Sequence, residues 1–250
     1  SPLDNLRHSI NNFNKKERSF LHYGDLNDSL SIDCVIEKVK PKYIFHLAAQ
    51  SFPRVSFDAP IDTYNTNING TQNLLDAVKK YSPHTIVHVC SSSEVFGRVP
   101  KEFIPINEEV KFHPASPYAI SKCGTDLIGR YFGEAYNICT IVTRMFTHTG
   151  PRRGDVFAES TFAKQIALAE AGLIEPIIKV GNLDSLRTIA DVRDAVRAYY
   201  MAVTINPEPG SYYNIGGTHT TTIRELLNDL IKLSTLNNIH IETDPERLRP

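Results

Sequence analysis

The sequence predicts an α/β fold in which helices cover both faces of a doubly wound parallel sheet. Short apolar runs rich in β-branched residues, at 43–49, 85–90 and 138–146, alternate with longer amphipathic segments, at 71–81 and 116–136. The short runs are apolar at consecutive positions, which is typical of strands that are buried on both faces of a parallel sheet. The chain has 250 residues, of which 41% are hydrophobic and 22% charged, so it can bury a core of this kind.

The pattern becomes more mixed after Gly150. Helices are predicted at 157–171 and 192–203 and strands at 176–180 and 212–215. Thr222 and Glu225 have the spacing of a capping box, which predicts the start of a last helix. We therefore divide the chain into a sheet domain, residues 1–150, and a smaller mixed α/β lobe, residues 151–250, which is interleaved with the end of the sheet.

Composition excludes several classes of protein. Lys and Arg number 27 against 28 Asp and Glu, with no basic stripe, so nucleic acid is not expected as a partner. No apolar run reaches the roughly 20 residues that span a bilayer, and no signal peptide opens the chain, so we expect a cytoplasmic protein with no membrane partner.

His84 and His88 flank a predicted strand and do not converge, so no metal site is expected. Four cysteines without metal-binding spacing are predicted to be buried, reduced thiols: Cys34, Cys90, Cys123 and Cys139.

Tyr118 and Lys122 form a YxxxK pair on the predicted helix 116–136. Residues four apart lie on one helical face. A phenol has a pKa near 10 and is a poor base at neutral pH, but a neighbouring ammonium group favours the phenolate and lowers that pKa. Ser92 follows the strand 85–90 at the carboxyl edge of the sheet, where ligands bind in open parallel sheets. The sequence therefore predicts a catalytic group of Ser92, Tyr118 and Lys122.

A sheet that binds a dinucleotide should begin with a strand, a glycine-rich turn and a helix whose N-terminus takes the pyrophosphate. No GxGxxG or GxxGxxG segment occurs in the sequence. Either the first βα unit is missing from this chain or the chain does not bind a dinucleotide.

Several motifs, in the correct order along most of the chain, resemble those of the extended short-chain dehydrogenases/reductases. They are the Ser92, Tyr118 and Lys122 triad, HLAAQ at 46–50, NINGT at 67–71 and GDL at 24–26. The resemblance implies a Rossmann-like sheet domain, an N-terminal unit before Ser1, a further segment after Pro250, and NADP or NAD as cofactor. It implies these cofactor contacts: Asp25, Leu26, Leu47, Ala48, Ala49, Tyr118 and Lys122.

Within that family, the segments 49–51, 55–58, 150–154 and 181–187 resemble the GDP-mannose 4,6-dehydratases. This implies a GDP-sugar substrate, whose diphosphate Arg187 and Arg249 bind through bidentate guanidinium hydrogen bonds. Ser51, Ser93 and Thr147 are the other implied substrate contacts. Thr147 and Thr161 depart from the Asn and Lys usual in the dehydratases, and the segments 162–167 and 191–194 are more similar to the GDP-4-keto-6-deoxymannose reductases.

The resulting hypothesis is a nucleotide-sugar 4,6-dehydratase. Tyr118 takes the proton of the 4-hydroxyl as hydride leaves C4, and Glu94 removes the C5 proton as water leaves C6. A plain reductase or epimerase does not need that carboxylate. The enzymatic alternatives are a GDP-4-keto-6-deoxymannose reductase and a nucleotide-sugar 4-epimerase, and a different class is a redox-silent ligand-sensing protein of the same fold.

The helices that start near Thr71 and Ser116 carry more apolar residues than one sheet face needs. On the second helix these are Leu127, Ile128, Tyr131 and Phe132. In the family, two such helices from each subunit form a four-helix bundle across a two-fold axis, so the resemblance implies a homodimer or homotetramer.

Overall fold

A computed structural model describes residues 20–247 of the chain. The first part of the fold contains, in chain order, α1 (Ser29–Val39), β1 (Tyr43–His46), α2 (Pro53–Asp58), α3 (Pro60–Tyr64), a π-helical turn (Asn65–Asn69), α4 (Gly70–Tyr81), β2 (Ile86–Cys90), α5 (Pro117–Tyr136) and β3 (Thr140–Met145). Short 3₁₀ turns lie between β2 and α5, at Ser93–Phe96 and Lys101–Phe103.

The second part contains β4 (His148–Thr149), α6 (Ala158–Glu170), β5 (Ile177–Val180), β6 (Leu186–Asp191), α7 (Val192–Thr204), β7 (Ser211–Ile215), β8 (His219–Thr222), α8 (Ile223–Lys232), β9 (His240–Thr243) and a 3₁₀ turn at Pro245–Arg247.

A parallel four-stranded sheet in the order β1-β2-β3-β7 confirms the predicted fold class. Strand residues alternate between the two faces. Val87 and Val89 pack with α4 and α5 in the main core, and Cys90 packs with α7 on the other face. Helices therefore cover both faces, as a doubly wound sheet requires. Phe132 of α5 is fully buried in the main core, which stabilises this packing by about 1.5–3 kcal/mol.

A buried ion pair joins α5 to β3. The Arg144 guanidinium donates to both Asp126 oxygens at 2.8 and 3.1 Å, and to the Glu108 carbonyl at 3.0 Å. Both side chains are almost completely buried. Removing one partner of such a pair costs about 3–5 kcal/mol, because an uncompensated charge stays in the interior. The pair therefore fixes the helix that carries the catalytic motif against the central strand.

The smaller lobe contains the β4-β6-β8 sheet and the β5-β9 pair, and β5 packs against α6 and α8. The predicted capping box is present: the Glu225 amide donates to the Thr222 hydroxyl, and the Glu225 carboxylate accepts from the Thr222 amide at 2.8 Å. Strand β7 returns to the first sheet beside β3. The division of the chain at residue 150 stays a prediction.

Some expectations differ from the structure. The strand predicted at 43–49 ends at His46, because the following segment turns away from β2 at the edge of the sheet. Helix α1 has no counterpart in the sequence-based prediction. The Asp28 side chain caps it by accepting from the Leu30 amide at 3.1 Å. The four thiols are free, but Cys34 is exposed and the others are half-buried, so the prediction of buried cysteines is wrong.

The absence of a glycine-rich first βα unit from this sequence stays a prediction. No helix within residues 20–247 is long and apolar enough to cross a bilayer. Over the same residues, no group of three His, Cys, Asp or Glu side chains has an arrangement that could hold a metal ion.

Candidate active site

The start of α5 places the YxxxK pair beside the end of β2. Ser116 is the N-cap and accepts from the Ala119 amide at 3.0 Å, and Pro117 occupies the first turn, where its missing N–H costs nothing. Tyr118 therefore lies in the first turn and Lys122 one turn later, and both are buried. The Lys122 ammonium lies 5.9 Å from the centre of the Tyr118 ring.

The turn after β2 brings two further predicted residues to Tyr118. Ser92 is buried, accepts from the Glu94 amide at 3.2 Å and makes a side-chain hydrogen bond to Tyr118 that lowers the pKa of the phenol. Glu94 is half-buried on the 3₁₀ turn, and its charge raises the pKa of Tyr118. Ser93 is half-buried on the same turn. The structure therefore brings Ser92, Glu94 and Tyr118 into one site.

The sequence predicts that the Lys122 ammonium lowers the pKa of Tyr118, and this effect is absent from the structure. Burial raises the pKa of Tyr118 above its usual value of 10, and the lowering contributions come from Ser92 and Arg153. Lys122 instead donates to the Cys90 carbonyl at 2.7 Å, and burial lowers the pKa of its ammonium. The prediction of a lysine-activated phenolate is wrong for this state, in which the phenol keeps its proton.

The segment after β1 lies at the carboxyl edge of the sheet. Leu47, Ala48 and Ser51 are exposed there, and Ala49 is half-buried. The buried Asn67 side chain holds this segment: it accepts from the Gln50 amide at 2.8 Å and donates to the Gln50 carbonyl at 3.0 Å. The Asn67 amide also lies 2.8 Å from the Ser121 hydroxyl, between Tyr118 and Lys122 on α5. The predicted cofactor edge is thus fixed directly against α5, the helix that carries Tyr118 and Lys122.

The other two predicted cofactor residues lie in the segment just before α1. Asp25 is exposed and accepts from the Asn27 amide at 2.9 Å, and the Leu26 carbonyl accepts from Asn73 at 2.8 Å. Leu26 packs so closely on Gly70 that a methyl group there would lie 2.7 Å from the Leu26 side chain. This packing places Leu26 against the same helix that follows Asn67.

The structure brings fewer of the predicted substrate residues together than of the predicted catalytic residues. Thr147 is half-buried just before β4, and its carbonyl accepts from the Ala190 amide at 3.0 Å. Arg187 is half-buried on β6 and donates to the Leu186 carbonyl at 2.8 Å. Arg249 lies outside the described residues.

Arg153 is a charged residue of this site that sequence reasoning missed. Its guanidinium lies 4.0 Å from the centre of the Phe157 ring and 2.8 Å from Glu159, and donates to the His148 carbonyl at 2.6 Å. Its charge lowers the pKa of Tyr118, although burial keeps that pKa raised. Phe157 in turn packs edge-on against Phe52, at 5.9 Å between ring centres. Its signals in the sequence are the double arginine at 152–153 and the segment 150–154, which resembles the dehydratases.

His46 and Asn67 were also missed as site residues, although both belong to recognised motifs. His46 Nε2 lies 3.0 Å from the Thr71 hydroxyl. Burial, with a smaller effect from the Lys122 charge, lowers the pKa of His46 to about 4. The imidazole is therefore neutral at physiological pH and supports the site without adding charge to it.

A buried serine, tyrosine and lysine at the carboxyl edge of a parallel sheet define the site of a short-chain dehydrogenase/reductase. Residues 2–249 match the family described as GDP-mannose 4,6 dehydratase, and the chain belongs to that family.

Three similar proteins support this assignment. GDP-6-deoxy-D-mannose reductase of Pseudomonas aeruginosa is 34% identical over 209 residues, which cover 84% of this chain and 68% of that protein. GDP-mannose 4,6 dehydratase of Drosophila melanogaster is 36% identical over 220 residues, covering 87% of this chain and 54% of that protein. The solved structure of RMD from Pseudomonas aeruginosa complexed with NADPH has a TM-score of 0.85 at 29% identity, covering 97% of this chain and 82% of that one. The chain thus spans between about half and two thirds of the length of these curated relatives.

Proposed function

We propose that the full-length protein is a nucleotide-sugar 4,6-dehydratase that converts GDP-mannose to GDP-4-keto-6-deoxymannose and water. The observation that carries this proposal is the position of Glu94. Its carboxylate lies close enough to Tyr118 to raise the pKa of the phenol, and the turn that holds it also holds Ser92. An elimination across C5 and C6 needs a base beside the residue that takes the 4-hydroxyl proton, and a ketoreductase does not.

The residues at the sheet edge fit a nicotinamide dinucleotide. Leu47 and Ala48 are exposed beside the catalytic helix, and an ammonium has three N–H donors, of which Lys122 uses one on the Cys90 carbonyl. Asp25 and Leu26 would contact the adenine end, Ala49 the edge beside β1, and Lys122 the nicotinamide ribose. The cofactor, when bound, would accept a hydride from C4 and return it to C6. NADP and NAD are both compatible with these residues.

Each side chain of the site has a separate role in the proton transfers of this reaction. Tyr118 takes the proton of the 4-hydroxyl, and Ser92 hydrogen-bonds the same oxygen. Arg153 favours the phenolate that Tyr118 must form, because its charge already lowers the pKa of that phenol. Glu94 removes the C5 proton, which the new 4-ketone makes acidic. The 6-hydroxyl leaves as water with one of these two protons, and the other would return to C5 as hydride returns to C6. The sugar thus loses one oxygen at C6 and gains a ketone at C4.

The substrate contacts are part of the same proposal. Ser51, Ser93 and Thr147 contact the sugar, and Arg187 and Arg249 bind the diphosphate, for which bidentate guanidinium groups are suited. We also propose that the protein works in the cytoplasm as a homodimer or homotetramer.

A GDP-4-keto-6-deoxymannose reductase is the second candidate. Similarity to a curated reductase at 34% identity and to the NADPH-bound structure supports it, and so does Thr147 in place of Asn. The 4-epimerase alternative shares the same triad and has no observation of its own. A ligand-sensing protein would not need a buried tyrosine that is hydrogen-bonded to a serine beside a lysine.

Parallel assays on the full-length protein distinguish the two candidates. We expect GDP-mannose to be consumed, with no net change in added NADP⁺, and the 4-keto sugar to form. Consumption of the 4-keto sugar with NADPH, and none of GDP-mannose, would replace the dehydratase with the reductase.

A further inference from the structure

A polar cluster lies on the face of the sheet that α7 covers. It adjoins Cys90, whose carbonyl accepts from Lys122. His88 and Cys90 of β2 and Thr143 of β3 point to this face, and Tyr199 of α7 covers them. We call these four residues the Tyr199 cluster. None of them belongs to the proposed catalytic group.

Tyr199 contacts Cys90 and His88 directly, and His88 connects it to Thr143. Its hydroxyl lies 3.7 Å from Cys90 Sγ. Its ring stacks on His88 at 4.3 Å between centres, with 33° between the planes. His88 Nε2 lies 2.8 Å from the Thr143 hydroxyl. Tyr199 is 6% exposed, so these hydrogen bonds form in a low-dielectric interior where they specify one arrangement.

The cluster does not act through charge. Burial lowers the pKa of His88 to about 3 and raises the pKa of Tyr199 above its usual value. Both groups are therefore neutral at the pH of an enzyme assay, and the cluster fixes positions through hydrogen bonds and packing.

Cys90 connects the cluster to Lys122. Its side chain is contacted by Tyr199 on one face of the sheet, and its carbonyl accepts from the Lys122 ammonium at 2.7 Å on the other side. Cys90 is the last residue of β2, and the peptide group that carries its carbonyl is also held by the Ser91 amide, which donates to the Thr143 carbonyl at 2.8 Å. The position of the Cys90 carbonyl sets the direction of the two remaining Lys122 N–H groups.

We propose that Tyr199 is a positioning residue for Lys122. By holding Cys90 at the end of β2, Tyr199 fixes the carbonyl that accepts from the Lys122 ammonium. The two remaining N–H donors of Lys122 are thereby directed towards the nicotinamide ribose. This inference rests on the proposed function in one respect, the contact between Lys122 and the cofactor. It does not depend on which sugar reaction the enzyme performs.

The test compares Tyr199→Phe with Tyr200→Phe in the full-length protein. Tyr200 is the next residue of α7 and is 59% exposed, so it serves as a matched control. Calorimetric titration with NADPH should give a Kd that rises about five- to tenfold for Tyr199→Phe, because Cys90 loses the hydroxyl that contacts its sulfur, and that stays within about twofold for Tyr200→Phe. The Kd for GDP should stay unchanged in both variants, whereas general damage to the fold would weaken both ligands.

Two further variants show whether the effect passes through Lys122. Cys90→Ala removes the sulfur that Tyr199 contacts but keeps the carbonyl, and should weaken NADPH binding to a similar extent. In a Lys122→Met background, Tyr199→Phe should change the Kd for NADPH less than about twofold, because the residue through which it acts is gone. Additive effects, or equal Kd values for Tyr199→Phe and Tyr200→Phe, would overturn this inference alone. A wild-type protein that binds neither NADPH nor NADH would overturn the proposed function together with it.

Discussion

At the scale of single residues, two buried histidines make stability depend on pH. Burial, with smaller effects from nearby charges, lowers the pKa of His46 to about 4 and of His88 to about 3. An unfolded chain takes up these protons near pH 6.5, before the folded protein does. Stability is therefore complete above about pH 6.5 and is lost as the pH falls towards 4, by up to about 1.4 kcal/mol per pH unit for each histidine.

Urea unfolding of the full-length protein at pH 7, 6 and 5 measures this slope. The His88→Leu variant should show a smaller pH dependence, because one of the buried imidazoles is gone. Replacing the exposed His84 with Gln serves as the control and should keep the slope of the wild-type protein. An unchanged slope in His88→Leu would show that His88 is not buried as a neutral group.

Replacing Glu94 distinguishes the proposed dehydratase from the alternative reductase. Glu94→Gln keeps the shape of the side chain but cannot accept the C5 proton. For a dehydratase, we expect formation of the 4-keto product to fall by about 10²–10⁴-fold, the usual loss for a general base, while oxidation at C4 survives and reduced cofactor accumulates on the enzyme. Absorbance at the nicotinamide band follows that accumulation.

The matched variant is Tyr118→Phe, which should stop both steps because the first proton transfer has lost its base. If Glu94→Gln instead turns over the 4-keto sugar with NADPH at nearly the wild-type rate, Glu94 has no role as a base and the reductase is favoured.

The positions of the proposed catalytic residues could be predicted from the sequence because these residues occur in short motifs with fixed spacing. Ser92 and Tyr118 meet where the strand-helix pattern places them. The protonation state of Tyr118 could not be predicted, because it depends on burial and on Lys122 donating to a backbone carbonyl. Arg153 comes from the second part of the chain, and only the folded loop brings its charge to Tyr118.

At the scale of elements, the packing of α5 against the turn before β7 depends on Gly133. A methyl group at this position would lie 2.0 Å from the Gly210 nitrogen and 2.4 Å from its Cα, both backbone atoms that cannot turn away. Gly133→Ala should therefore destabilise the protein by about 1–3 kcal/mol or more, although alanine favours a helix by about 1 kcal/mol.

Gly154→Ala is the matched control, since its nearest neighbours would lie 3.8 Å away, at ordinary contact distance. Chemical unfolding midpoints of the two variants check this prediction. A Gly133→Ala protein as stable as Gly154→Ala would mean that α5 lies further from the turn than the structure places it.

Elements with strong local signals were predicted well, and those that tertiary contacts define were not. The α4 and α5 helices and the capping box of α8 lie within a residue or two of their predicted positions. The end of β1 depends on where its neighbour stops pairing, which the apolar run at 43–49 does not show. The π-helical turn Asn65–Asn69 carries Asn67 to Gln50 and Ser121, and nothing in helical periodicity indicates it.

At the scale of the whole molecule, α5 presents an apolar surface that the sheet does not cover. Leu127 and Tyr131 are 53% and 51% exposed, and Ile120 lies on the same surface at 44%. Phe132 is fully buried and Ile128 packs against the main core, so two of the four residues predicted for a subunit interface belong to the interior instead. Helical periodicity could not assign these neighbours to the inner or outer face, because apolar residues occur on both.

The exposed surface of α5 leads to a prediction about assembly. We expect the full-length protein to be at least a homodimer, with Leu127 and Tyr131 near a two-fold axis, because an isologous contact buries the same apolar patch on both subunits. Leu127→Glu should then produce a monomer at micromolar concentration in sedimentation velocity, since it places a charge in that contact without touching the core. Leu233→Glu is the control: Leu233 is 83% exposed at the end of α8, and its replacement should leave the dimer intact. A wild-type protein that sediments as a monomer well above micromolar concentration, or a dimer that survives Leu127→Glu, would contradict this interface.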